Sequence, residues 1–170
     1  KSKKKWYALY TRSRAEKKVL VELQYAQIEA YLPLITRLKV WSDRKKKVEE
    51  PLFRSYLFVY IDESEYFTAL NVPGAMRFVS FEGKAVAIPE KQIEAIKFFI
   101  ADPDELPEES ESLVSGQLVR VKSGQMEGLI GRLVQYNNKH RLLVVIEALG
   151  KSISLNIPRS RVEAVTDKNA

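Results

Sequence analysis

Few residues in this 170-residue chain are equipped for covalent chemistry. Cysteine is absent, which excludes disulfides, thiolate nucleophiles and Cys-based metal sites. The single histidine, His140, stands between Lys139 and Arg141, with no carboxylate or nucleophile in a recognisable local pattern. It reads as a surface turn residue beside Asn137-Asn138. No Gly-rich phosphate loop with its lysine occurs, and no second histidine completes a metal pair. The densest carboxylates fall between Asp102 and Glu111, where two prolines leave no rigid scaffold for acid–base work. The chain therefore reads as a non-enzyme, with no cofactor and no metal.

What its residues can do is bind. Net charge is +6, in three blocks. Residues 1–101 carry 19 cations against 12 carboxylates (+7), residues 102–115 carry only acid (−6), and residues 116–170 carry +5. Basic blocks suit nucleic acid or an acidic protein surface. The sharpest cationic feature is the run Arg44, Lys45, Lys46, Lys47, which offers a phosphate-binding tip or a plain exposed hairpin. The sharpest aromatic feature is Phe53…Tyr56-Leu57-Phe58-Val59-Tyr60-Ile61. Strand alternation puts Tyr56, Phe58 and Tyr60 on one face, and Leu57, Val59 and Ile61 on the other. One face fills a core. The other, joined by Phe53, Tyr10 or Trp6, either packs under helices or docks a partner.

The elements that position these groups follow from periodicity. Asp102 to Ser112 is acidic and proline-broken, a linker between two domains. The expected limits are 1–101, 102–115 and 116–170. In the first domain, Trp6–Tyr10 is a strand. Arg14–Gln27 is a helix whose Ala15, Val19, Leu23 and Ala26 share a face, with Ser13 and Glu16 spaced for a capping box. Glu29–Leu32 and Ile35–Trp41 are strands, Ser42–Glu50 a charged loop or hairpin tip, and Tyr56–Ile61 a central strand. A short helix (64–71), a strand (76–79) and a helix opened by Pro89 complete an antiparallel α+β sandwich. After residue 116 come five short strands and no helix, a small barrel. No apolar run approaches membrane length, and the absence of cysteine suits a reducing cytoplasm; the chain is expected to be a cytoplasmic monomer.

In the barrel, Gly116-Gln-Leu-Val-Arg-Val-Lys-Ser-Gly-Gln-Met-Glu-Gly-Leu-Ile-Gly resembles the KOW motif of NusG-type factors and several ribosomal proteins. Gly124, Gly128 and Gly131 there need positive φ or close backbone approach. Upstream, Trp6-Tyr7-Ala8-Leu9-Tyr10-Thr11, Leu32-Pro33, Pro51-Leu52-Phe53…Tyr56-Leu57-Phe58-Val59, Pro73-Gly74…Arg77-Phe78-Val79 and Ile88-Pro89 resemble the NusG N-terminal (NGN) domain in order and spacing. The compact stretch from Pro33 to Pro51 is closer to specialised paralogues, the RfaH and polysaccharide-operon antiterminator groups. One departure stands out: Arg54-Ser55 replaces the Pro-Gly that often precedes the docking tyrosine.

The resemblance implies a transcription elongation and antitermination factor lying across the cleft of RNA polymerase. Tyr10, Phe53, Tyr56 and Phe58 would line a depression that grips the clamp helices of the largest subunit. Phe67 and Thr68 (with Ala69) would face the gate loop of the second-largest. Arg12, Arg14, Lys17 and Lys18, with Tyr25 as a stacking platform, would touch non-template DNA; Arg44 to Lys47 would bind phosphates of DNA or RNA. Met126, in the loop between the first two barrel strands, either offers an exposed thioether that would help dock a small-subunit ribosomal protein or a termination factor, or tucks against the barrel end. Arg120, Lys122, Arg132, Lys139 and Arg141 either touch RNA phosphates or form a solvated face. The competing reading is a ribosome-associated or general RNA-binding KOW protein.

Overall fold

The computed structural model describes residues 3–103, 116–136 and 139–165. The chain forms two compact units, Lys1–Ile88 and Pro89–Ala170. The turn expected at Asn137-Asn138 and most of the expected linker lie outside the described residues.

In the first unit, β1 (Lys5–Thr11) leads to α1 (Glu16–Tyr25), β2 (Glu29–Tyr31), a hairpin of β3 (Leu34–Val40) and β4 (Lys45–Pro51), and β5 (Tyr56–Ile61). Then come α2 (Tyr66–Leu70), β6 (Ala75–Phe78), a small hairpin of β7 (Ser80–Phe81) and β8 (Lys84–Ala85), and β9 (Ala87–Ile88). The main sheet runs β2-β5-β1-β6, with β9 also on β1, and every pairing is antiparallel. Leu9, Leu57, Val59 and Ile61 leave one face of it and pack with Val19, Leu23, Ala69 and Val72 from the helical side. The alternation read along the central strand thus fixes which side is core.

Several boundaries differ from expectation for physical reasons. α1 starts at Glu16, not Arg14. Arg14 has φ 61°, outside the helical region, and the N-cap Ala15 has no side-chain bond. The Ser13/Glu16 capping box is therefore absent. The expected helix at 64–71 is a 3-10 turn (Glu63–Glu65) running into α2, and the capping box forms there, between Asp62 and Glu65. Lys45 to Glu50 is a strand and not a loop, because its backbone pairs with β3 in unbroken antiparallel register from Val40↔Lys45 to Leu34↔Pro51.

In the second unit, α3 (Glu90–Ala101) follows Pro89, which is the N-cap rather than the first helical residue. It lies against two of the strands, β12 and β13, and the Gln92 amide donates to Val145 O at 3.3 Å. The strands are β10 (Gln117–Val121), β11 (Ile130–Tyr136), β12 (Lys139–Ile146), β13 (Lys151–Leu155) and β14 (Val162–Ala164). They form one antiparallel sheet in the order β13-β12-β11-β10-β14, the small barrel expected from five short strands. Two glycines show why the motif needs them. Gly128 has φ 92°, and a Cβ on Gly131 would stand 2.6 Å from Leu143 O.

Candidate functional site

The face of the main sheet opposite the α1/α2 core is aromatic. Register places Tyr10 opposite Tyr56 on one side and Arg77 on the other. The three side chains form a row across β5, β1 and β6. Tyr10 and Tyr56 meet edge-on at 5.2 Å, and the Arg77 guanidinium sits 4.7 Å over the Tyr10 ring. Both tyrosines keep part of their surface exposed. A second row joins Ala8, Phe58 and Tyr31, with Phe53 standing perpendicular on Phe58 at 6.2 Å. Phe58 has no exposed surface and Phe53 is 5% exposed, so these two lie beneath the rim rather than on it. Burial also pushes the Tyr31 phenol up to about 12. Trp6 and Tyr60 form a third row, 5.1 Å apart.

The turn that carries Phe53 to Tyr56 is built by a residue that periodicity does not single out. Glu16 is 6% exposed, and its carboxylate accepts the Ser55 N–H at 2.9 Å. Ser55 has φ 67°, the left-handed conformation that glycine takes without strain. Its carbonyl accepts Thr11 N–H at 2.8 Å, tying the turn to β1. The Arg54-Ser55 departure therefore keeps a glycine-like backbone, held by a buried carboxylate. The sequence offered one signal, a Glu on the first turn of an apolar helix, and capping was the simpler explanation of it.

The cations divide between two places. Arg14 and Lys17 line a groove of about 620 Å³ together with Lys39, Arg54 and the base of the β3–β4 hairpin. Lys17 Nζ donates to Glu49 O at 3.2 Å across it. Arg12 and Lys18 are exposed but outside this lining, and Tyr25, 82% exposed, ends α1 about 13 Å from Glu16. Lys45, Lys46 and Lys47 are exposed along β4, while Arg44 sits 5.6 Å over the Trp41 ring at the tip. At the hairpin base, Glu50 is held below the ordinary carboxylate range, chiefly by a hydrogen bond from Arg37, with Lys39 adding to it.

Phe67 and Thr68 are exposed on α2. Phe67 borders a cleft of about 320 Å³ with Tyr7, Tyr66 and Lys84, on the side of the sheet opposite the aromatic rows. In the second unit, Met126 is 8% exposed, which is the tucked alternative and not the exposed thioether. The loop turns back on itself, with Met126 O accepting Leu129 N–H, and Met126 shares a hollow of about 140 Å³ with Phe98, Val121 and Ile157. Its neighbours Gln125 and Glu127 take the exposed positions. Arg141 is buried and donates to His140 O, so it does not belong to an RNA-facing set. Lys122, Arg132 and Lys139 are exposed and Arg120 half-buried.

The first unit is an antiparallel α+β fold with an aromatic sheet face and the second carries a small barrel, and no constellation for catalysis occurs among the described residues. The family model described as "Transcription termination factor nusG" matches residues 4–97, and the chain belongs to the NusG family, whose members are transcription factors and not enzymes. Relatives span nearly its whole length. It is 24% identical to the transcription termination/antitermination protein NusG of Pseudomonas aeruginosa, covering 95% of this chain and 99% of that one. It is 26% identical to that of Staphylococcus epidermidis, covering 94% and 95%. The solved structure of Thermotoga maritima NusG matches with a TM-score of 0.53 and 24% identity over 96% of this chain, a likeness of fold.

Proposed function

We propose that this chain is a transcription elongation and antitermination factor of the cytoplasm, which binds RNA polymerase across its clamp and raises processivity. The observation that carries this is the Tyr56–Tyr10–Arg77 row. Partly exposed aromatics in edge contact, flanked by a guanidinium and next to a row with the buried Phe53–Phe58 pair, have the composition of an interface anchor. The clamp helices of the largest subunit dock on Tyr10 and Tyr56, with Phe53 and Phe58 as the floor. Phe67 and Thr68 meet the gate loop of the second-largest subunit. Binding energy alone does the work: the factor holds the polymerase in a closed, pause-resistant state by binding it more tightly than the open one.

Arg12, Arg14, Lys17 and Lys18 run beside the exposed non-template strand, and Tyr25 stacks on a base. The barrel, tethered through the acidic segment 102–115, searches for a small-subunit ribosomal protein or a termination factor at high effective concentration. Its contact is the Met126 loop, where Gln125 and Glu127 supply the exposed surface over a buried Met126. The compact Pro33–Pro51 stretch supports a specialised paralogue of the RfaH or polysaccharide-operon type.

Single-round transcription with bacterial RNA polymerase, through a pause site and an intrinsic terminator, tests this. Full-length product rises with the wild type and does not rise with Tyr10→Ala/Tyr56→Ala. If the wild type changes nothing while its barrel binds RNA in a salt-sensitive way, the RNA-binding reading replaces this one.

A further inference from the structure

Tyr56 N–H donates to Phe53 O at 3.3 Å, which closes a β-turn with Arg54 and Ser55 at its centre. Arg54 keeps a negative φ and Ser55 has φ 67°, the backbone of a type II turn. Such a turn favours proline in the first central place and glycine in the second. This chain has neither, so the turn is weakly encoded by its own residues. The alternative, type I, suits most residues and differs chiefly by a flip of the central peptide. That peptide joins Arg54 to Ser55, and its N–H is the one that Glu16 holds at 2.9 Å. A flip would take the N–H away and turn the Arg54 carbonyl towards a carboxylate that is almost fully buried. No cation among the described residues pairs with Glu16, so nothing else compensates it there.

We infer that Glu16 selects the type II form of this turn and is thereby a positioning residue for polymerase docking. The inference rests on the function proposed above and adds a residue from the other side of the sheet. α1 packs on the face opposite the aromatic rows, through Val19 and Leu23. Glu16 therefore reaches the docking face only through the backbone of the turn. The outer residues of the turn are Phe53, in the floor, and Tyr56, in the rim, so its form sets how the two meet. Ser55 O also accepts Thr11 N–H at 2.8 Å, next to the Tyr10–Tyr56 pair. One residue is thus tied to α1 by its N–H and to β1 by its carbonyl. The dependence on Glu16 arises from the serine. A glycine at position 55 takes positive φ without strain and makes the carboxylate dispensable.

The test is the affinity of the full chain for bacterial RNA polymerase, read by fluorescence anisotropy of the labelled chain and corrected for the folded fraction that urea unfolding gives for each variant. Glu16→Ala, which leaves about one tenth of the molecules in the docking form, raises the apparent Kd about tenfold. Glu16→Gln keeps an acceptor and stays within about threefold of wild type. Ser55→Gly binds as the wild type does. Added to Glu16→Ala, it restores the Kd to within about threefold, a rescue that a direct contact between Glu16 and polymerase would not show. A folded Glu16→Ala protein within about twofold of wild type overturns the inference, and so does a double variant as weak as Glu16→Ala alone. In both cases a wild type that binds leaves the functional reading standing. A wild type without affinity sinks that reading and the docking role with it. Exchange of the Ser55 amide then decides the selection of the turn alone: it quickens in Glu16→Ala if the carboxylate holds the turn, and is unchanged if it does not.

Discussion

Removing the Glu16 carboxylate should loosen the turn that presents Tyr56. Glu16 is almost fully buried and accepts Ser55 N–H at 2.9 Å. A hydrogen bond to a charged group contributes about 1.5–3 kcal/mol. Ser55 also sits at φ 67°, where a residue with a Cβ is strained by about 1–2 kcal/mol. Without its partner the turn relaxes out of that conformation. Glu16→Ala is therefore expected to destabilise the first unit by about 2 kcal/mol, and Glu16→Gln, which keeps a neutral acceptor, by about half of that. Ser55→Gly relieves the strain but adds freedom to the unfolded chain, for a net gain of about 0.5–1 kcal/mol. In the Glu16→Ala background Ser55→Gly should recover more than it gains alone, because the turn then keeps its shape without being held. Urea unfolding followed by tryptophan fluorescence is the assay. Both tryptophans, Trp6 and Trp41, lie in the first unit, so the signal reports that unit alone. A Glu16→Ala protein within about 0.5 kcal/mol of wild type, or strict additivity with Ser55→Gly, would refute the reasoning.

Other expectations follow from the same geometry. Phe58→Ala removes a fully buried ring and should cost about 3–5 kcal/mol in the same assay, so loss of binding by that variant reports unfolding and not docking. Gly131→Ala sets a Cβ 2.6 Å from the Leu143 carbonyl and should destabilise the barrel by about 1–3 kcal/mol, read from loss of amide-exchange protection in β11 and β12. Glu50 has its folded carboxyl held below the ordinary value, so its pairing with Arg37 contributes above the unfolded carboxylate range and is lost as pH falls through the lowered folded value. Its carboxyl carbon, followed by NMR, should titrate below the ordinary carboxylate range in the wild type and move back towards it in Arg37→Gln, with Lys39 still holding it partly down.

Much of this arrangement is legible in the amino-acid order. The alternation through Tyr56–Ile61 specifies both faces of the central strand, the glycines at 124 and 128 mark the first turn of the barrel, and Gly131 marks a close approach inside β11. β4 is not legible, because Lys45, Lys46 and Lys47 offer no apolar alternation and the strand exists through its pairing with β3. The β7–β8 hairpin is too short to carry a pattern, and its turn places Glu82 at φ 51° beside Gly83 at φ 80°. The role of Glu16 is long-range: its partner lies 39 residues away, and no local rule reaches that far. Met126 illustrates the converse. A loop position left exposure and tucking against the barrel both open, and chain reversal at Gly124 and Gly128 turns the side chain inward.

The most direct test of the central claim is retention of bacterial RNA polymerase by the immobilised full chain and by Tyr10→Ala/Tyr56→Ala. Both substitutions are at partly exposed positions, so unfolding curves should confirm that the variant is folded. Retention by the wild type and its loss in the folded variant is the predicted result. A wild type that does not hold polymerase at modest salt, or a folded variant that holds it equally well, would contradict the account.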